Sequence, residues 1–301
     1  MALFHMIYGR ERFFMDRYTV IFVTDQRQQY IGDYLPGRCK EGSVRDLSNL
    51  IRNAERVILP TPVLKIDKLQ DIRSTVRENL MINREEGMIP QLMVFGGKFS
   101  EEWRQFLEKY EIRYVDFMDE EQVTLENACV TAEAAIAELL FHSRYSIRNE
   151  KYIVTGYGRC AKEIAARIAL LGGRVTVLAR SVRDRKAAKT DGHNAADFSY
   201  APEEAYGTRG VINTVPAMVI TESMIREMHK DTVIIDIASK PGGTDKKATA
   251  KYEIPVIEAL GLPGIYTPKS SAKILADSVI RHTLPDDVRK EDKSWIFQII
   301  I

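Results

Sequence analysis

Two α/β domains joined by a long helix, the second a doubly wound parallel sheet, are what this sequence of 301 residues predicts. Three observations carry that expectation. Short β-branched apolar runs alternate with helix-length stretches, the order that builds parallel sheets covered by helices. Two such series are separated by an unbroken stretch from about Leu125 to His142, in which Ala128, Ala132, Ala135, Ile136, Leu139 and Leu140 recur near helical spacing. A glycine-rich turn, Gly156-Tyr157-Gly158-Arg159-Cys160-Ala161, stands directly between a strand candidate and a helix candidate. The length, about twice that of a typical domain, agrees. The expected divisions are an N-terminal α/β domain over 1–124, a bridging helix over 125–148, a Rossmann domain over 149–275, and a C-terminal helix with an apolar tail over 276–301.

The elements follow in order. The run from Tyr18 to Thr24 is a buried strand, and Asp25 caps a helix over about Gln28 to Leu35. Ser43 opens a second helix to about Asn53. Arg56 to Leu59 reads as a strand stopped by Pro60 and Pro62, and Gln91 to Phe95 as another closed by Gly96-Gly97. Ser100-Glu101-Glu102 starts a helix to about Tyr110, and Arg113 to Asp116 is a further strand. In the second half the strands are 151–155, 174–179, 211–216 and 232–237, and a helix spans about Ala272 to His282. The terminal run Trp295-Ile296-Phe297-Gln298-Ile299-Ile300-Ile301 either packs back on the protein or makes an intersubunit contact.

Composition narrows the function classes. With 43 basic and 42 acidic side chains and a net charge of +1, no global field draws the chain to nucleic acid or to an anionic membrane. No apolar run approaches the roughly 20 residues of a membrane span, and the charged N-terminus has no signal-like core. Cys39, Cys129 and Cys160 offer neither a disulfide framework nor metal-ligand spacing, as expected of a reducing cytosol.

The glycine turn carries the chemistry. Gly156 permits the tight turn, Gly158 lets the backbone approach a pyrophosphate, and Ala161 lets the helix pack on the strand. The helix N-terminus then faces the phosphates. At the end of the next strand, where an NAD site places a carboxylate for the ribose, stand Arg180 and Ser181, with Arg185 behind them. That substitution favours the 2′-phosphate of NADP, with NAD possible. Three more turns follow at strand ends: Asn213-Thr214-Val215-Pro216, Ala238 to Asp245, and Gly261-Leu262-Pro263-Gly264 leading to Pro268-Lys269-Ser270-Ser271. Glu133, a carboxylate among small apolar residues on the bridging helix, is expected to be buried and so tuned as a base. Asp236 closes a buried strand and reads as structural.

These strings resemble the A-chain family of bacterial dipicolinate synthases. The resemblance rests on Gly156-Tyr157-Gly158-Arg159, on Asn213 to Pro216, on Ile235-Asp236-Ile237-Ala238-Ser239-Lys240-Pro241-Gly242-Gly243-Thr244-Asp245, on Gly261 to Gly264, and on Thr131-Ala132-Glu133. It covers about Asn127 to Leu284, while the first 120 residues match in outline. It implies oxidation of a dihydrodipicolinate-level intermediate to pyridine-2,6-dicarboxylate with NADP as acceptor, during spore formation in the mother-cell cytoplasm. It also implies a partner, the flavoprotein-like B subunit, beside a possible homo-oligomer. On that reading the cofactor contacts are Gly156, Tyr157, Gly158, Arg159, Cys160, Ala161, Arg180, Ser181, Arg185, Asn213, Thr214, Val215, Pro216, Ala238, Leu262 and Pro263. Thr131, Lys240, Thr244, Lys269 and Ser270 bind the dicarboxylate, and Glu133 and Lys240 are the catalytic candidates. Two other classes stay open: a shikimate dehydrogenase type of NADP enzyme, and a non-catalytic dinucleotide-binding regulatory subunit.

Overall fold

A computed structural model describes residues 18–42, 50, 54–63, 74 and 92–283. The helix expected over Ser43 to Asn53 and the apolar tail from Trp295 lie outside the described residues, apart from Leu50 in the former. The chain divides into two compact units, Met1–Thr124 with Pro268–Ile301, and Leu125–Thr267.

The first unit holds β1 (Tyr18–Phe22), α1 (Gln26–Ile31), β2 (Cys39–Gly42), β3 (Ala54–Ile58), β4 (Met93–Gly96), α2 (Glu101–Lys109) and β5 (Arg113–Asp116). All pairings are parallel, in the order β2-β1-β3-β4-β5. Strand alternation sorts the side chains to two cores. Val20, Phe22, Val57 and Val94 join Trp103 and Leu107 of α2 on one face. Ile21, Ile58, Met93 and Phe95 join Phe117 on the other, where the late helix α10 (Pro268–Thr283) contributes Ala272, Leu275, Ala276 and Val279. Ser100 caps α2, accepting from the Trp103 amide. Fully burying Trp103 and Leu107 contributes on the order of 2–3 kcal/mol each.

The 23-residue helix α3 (Glu121–Ser143) follows. It starts four residues before the expected Leu125, and nothing in Glu121-Gln122-Val123-Thr124 opposes helix. Ala132, Ala135, Ile136 and Leu139 are buried in the core of the second unit. Leu139 fits because Gly210 has no side chain; a Cβ there would lie 2.5 Å from its methyl.

The second unit continues with β6 (Lys151–Thr155), α4 (Arg159–Leu170), β7 (Arg174–Leu178), α5 (Val182–Thr190), β8 (Asn194–Ala196), α6 (Ala201–Ala205) and β9 (Thr208–Asn213). It ends with α7 (Glu222–Arg226), β10 (Val233–Asp236), α8 (Lys246–Tyr252), β11 (Val256–Glu258) and α9 (Leu262–Tyr266). Its six strands are parallel in the order β11-β10-β9-β6-β7-β8. Counted from β6, this is the doubly wound Rossmann order, and the winding reverses between β6 and β9. Val154, Ile212 and Ile235 face one core while Ile153, Val211 and Ile234 face the other. Among the described residues no helix is long and apolar enough to cross a membrane, and no group of three or more His, Cys, Asp or Glu could hold a metal ion.

Candidate dinucleotide site

The glycine turn lies where the winding reverses, between the carboxyl ends of β6 and β9. Gly156 has φ +77°, a backbone region that favours glycine. A Cβ on it would stand 3.0 Å from Thr214 Oγ1 and from Val215 Cγ2. Gly158 precedes α4 with open space where its Cβ would be, and no side chain caps that 12-residue helix. Ala161 is fully buried against β6. An open approach to an uncapped helix N-terminus fits a pyrophosphate.

The neighbouring side chains are committed to holding the loops. Tyr157 is buried, donates its hydroxyl to Asp191 (2.7 Å) and packs edge-on against His193. Burial and the Asp191 carboxylate push its phenol far up. Arg159 and half-buried Cys160 begin α4, and burial raises the Cys160 thiol.

Thr155, Asn213, Asp236 and Thr244 form one buried network across three strand ends. Thr155 donates to Asn213 Oδ1 (2.5 Å), and Asn213 Nδ2 donates to Asp236 (2.8 Å) and to the Val215 carbonyl (3.1 Å). Asp236 also accepts from the Ala238 and Gly243 amides and from Thr244 Oγ1 (2.8 Å). Thr214 is pinned to β6 through its own hydroxyl, which donates to the Thr155 carbonyl (2.7 Å). Gly243 fits between these loops only as glycine, since a Cβ would lie 2.5 Å from both Asn213 Nδ2 and the Val215 carbonyl. Asn213 and Ala238 are therefore buried pieces of the loop frame, while Pro216 is exposed. Leu262 and Pro263 are buried in the first turn of α9.

At the end of β7, Arg180 and Ser181 are exposed, and Ser181 Oγ caps α5 by accepting from the Asp184 amide. Arg185 pairs with Asp197 (2.6 Å) and donates to the carbonyls of Ala179 and Arg180. It thus fixes the backbone that presents Arg180, instead of standing free for a phosphate.

Several expected site residues are arranged differently. Glu133 is exposed, with Arg167 3.8 Å away, so the burial that was to tune it as a base is absent. Outward-facing turns of α3 carry it, a phase that alanine-rich spacing does not reveal. The Thr131 hydroxyl donates to the Asn127 carbonyl within α3 (2.6 Å), and the Thr244 hydroxyl is taken by Asp236. Lys240 is exposed on the loop after β10. Lys269 and Ser270 open α10 in the first unit, with Lys269 over the Tyr30 ring (5.3 Å).

No family model matches the sequence. The fold is shared with solved oxidoreductase structures. A phosphoglycerate oxidoreductase from Vibrio cholerae o395 shares it at TM-score 0.56 and 14% identity, over 89% of this chain and 98% of that one. By sequence, a relative is the A subunit of dipicolinate synthase. The sequence is 33% identical over 165 residues to that chain from Bacillus subtilis (strain 168), a match spanning 55% of this protein and 56%, just over half, of the relative. The crystal structure of the corresponding dipicolinate synthase chain from Bacillus halodurans superposes with TM-score 0.71 at 24% identity, covering 90% of this chain and 99% of that one.

Proposed function

We propose that the protein is an NAD(P)-dependent dehydrogenase subunit that oxidises dihydrodipicolinate, or its hydrated precursor, to pyridine-2,6-dicarboxylate with NADP as acceptor. The observation that carries this reading is the open, uncapped glycine turn where the sheet reverses, with exposed Arg180 one strand away. A bound nicotinamide would supply the hydride acceptor. Gly156 and Gly158 would admit its pyrophosphate, and Arg180 would meet the 2′-phosphate. Dihydrodipicolinate gives up a hydride and a proton in becoming aromatic, the hydrated precursor loses a water molecule as well, and solvent water can take the proton. Because that step is downhill, positioning does most of the work. Exposed Lys240 offers a cation to one carboxylate. The reading includes a cytoplasmic setting in a spore-forming cell and a flavoprotein-like B subunit that raises turnover.

Mixing the pure chain with NADP and freshly made aldolase product tests it. Reduced-nicotinamide absorbance should appear slowly, and at least about tenfold faster with the B subunit present. Dinucleotide binding with no oxidation under either condition would favour a regulatory role instead.

A further inference from the structure

A carboxylate near the end of the second strand decides which dinucleotide a Rossmann site admits. It accepts from the ribose 2′-hydroxyl of NAD and repels the 2′-phosphate of NADP. No acidic residue ends β7, where Ala179, Arg180 and Ser181 follow the strand. One does end the strand beside it. β8 pairs with β7 in parallel, Leu178 against Ala196, and the Ala179 amide donates to the Ala196 carbonyl (3.1 Å). Asp197 therefore leaves the sheet next to Ala179 and Arg180.

The two oxygens of Asp197 are engaged separately. Oδ1 accepts from the amide and from the hydroxyl of Ser199, each at 3.2 Å. Oδ2 accepts from Arg185 Nη1 (2.6 Å), and the same nitrogen donates to the carbonyls of Ala179 and Arg180, each at 2.7 Å. The Ser199 amide and hydroxyl, with the Arg185 guanidinium, hold the Asp197 carboxyl below its ordinary range, so it carries a full negative charge at neutral pH. Among the described residues no other cation pairs with it. The Arg185 side chain is 21% exposed and that of Asp197 38%. Arg185 thus stands between a carboxylate and the backbone of Arg180, and its charge offsets that carboxylate where the strand ends.

We propose that Arg185 sets the dinucleotide preference by masking Asp197. Neutralised, the carboxylate leaves Arg180 open to a 2′-phosphate; unmasked, it repels that phosphate and becomes an acceptor for a ribose hydroxyl. Arg185 is then a positioning residue, acting through Asp197 and Arg180. The assignment rests on the dinucleotide reading above and adds to it the residue pair that selects between the two cofactors.

The test titrates the full chain with NADPH and with NADH, reading a Kd for each from nicotinamide fluorescence, with thermal melts alongside. Arg185→Gln should raise the NADPH Kd by about tenfold or more, while the NADH Kd holds or falls. Arg185→Lys keeps a positive charge beside Asp197 and should hold the ratio of the two within about threefold of the parent. The deciding variant combines Arg185→Gln with Asp197→Asn. With both charges gone, its NADPH Kd should return to within about threefold of the parent. Were Arg185 itself a phosphate ligand, removing Asp197 would restore nothing, so a double variant as weak as Arg185→Gln overturns the proposal. An unchanged ratio in Arg185→Gln, or equal weakening of both dinucleotides, overturns it as well and leaves the dinucleotide reading standing. Asp197→Asn alone keeps Arg185 and should bind NADPH as well as the parent or better. A loss of about tenfold there overturns the proposal even where Arg185→Gln does not fold. A parent that binds neither dinucleotide overturns both the proposal and the dinucleotide reading.

Discussion

Each unit closes one of its strands with a buried aspartate, and the two are satisfied in different ways. Asp116, at the end of β5, accepts from the amides of Lys98, Phe99 and Met118 and from the Arg104 guanidinium at 2.6 Å. Asp236, at the end of β10, is equally buried but accepts only from neutral donors: Asn213, Ala238, Gly243 and Thr244. Both stitch loops together. The second does so without a fixed cation, and Arg180 and Lys240, after other strand ends of the same sheet, are exposed.

Removing the two carboxylates tests the contrast most severely. Asp236→Ala should cost about 3 kcal/mol or more in urea unfolding, because four donors lose their acceptor together. Asp116→Ala should cost less, about 2 kcal/mol, since Arg104 keeps Asp119 at 2.9 Å. Equal losses would break the comparison.

The glycines separate frame from site. Gly243→Ala has no room and should displace two loops, with a stability loss of about 2 kcal/mol. Gly158→Ala meets open space, so its stability should hold within about 0.5 kcal/mol, while dinucleotide binding weakens about tenfold as the methyl enters the phosphate approach. Calorimetric titration beside thermal melts reads both. Arg180→Asp should weaken NADP by about tenfold and leave NAD less affected, since a charge-assisted phosphate contact contributes about 1.5–3 kcal/mol.

The smallest effect is a pH dependence. Burial beside Tyr157 lowers the His193 pKa against an opposing pull from Asp191. The unfolded chain takes up a proton near pH 6.5 while the folded one resists it until lower pH. Stability is therefore full above about pH 6.5 and declines as pH falls below it. The melting temperature of the parent should drop more between about pH 7 and pH 5.5 than that of His193→Gln.

How far the sequence reaches follows from the same division. Buried central strands such as β1, β6 and β10 are legible because they are continuous apolar runs. The edge strands escape notice because they are short: β2 (Cys39-Lys40-Glu41-Gly42) is largely polar, and β8 and β11 are only three residues each. The glycine turn is legible because its geometry is local. The hydroxyls of Thr244, Thr131 and Tyr157 are not, because which acceptor each meets is decided by chain distant in sequence or by the phase of a helix. Thr155 and Asn213, hydrogen-bonded across 58 positions, illustrate the difficulty.

The placement of α10 bears on how the protein is made. Ala272, Leu275, Ala276 and Val279 complete a core whose other members, such as Ile21, Ile58 and Phe95, leave the ribosome far earlier. The second unit, contiguous from Leu125 to Thr267, has all its parts before that helix emerges. During translation the later-encoded unit is therefore the first able to finish folding, and the one encoded first waits with an apolar face uncovered. A released chain that ends at Thr267 should protect the strands of the second unit from protease while those of the first remain open to cleavage.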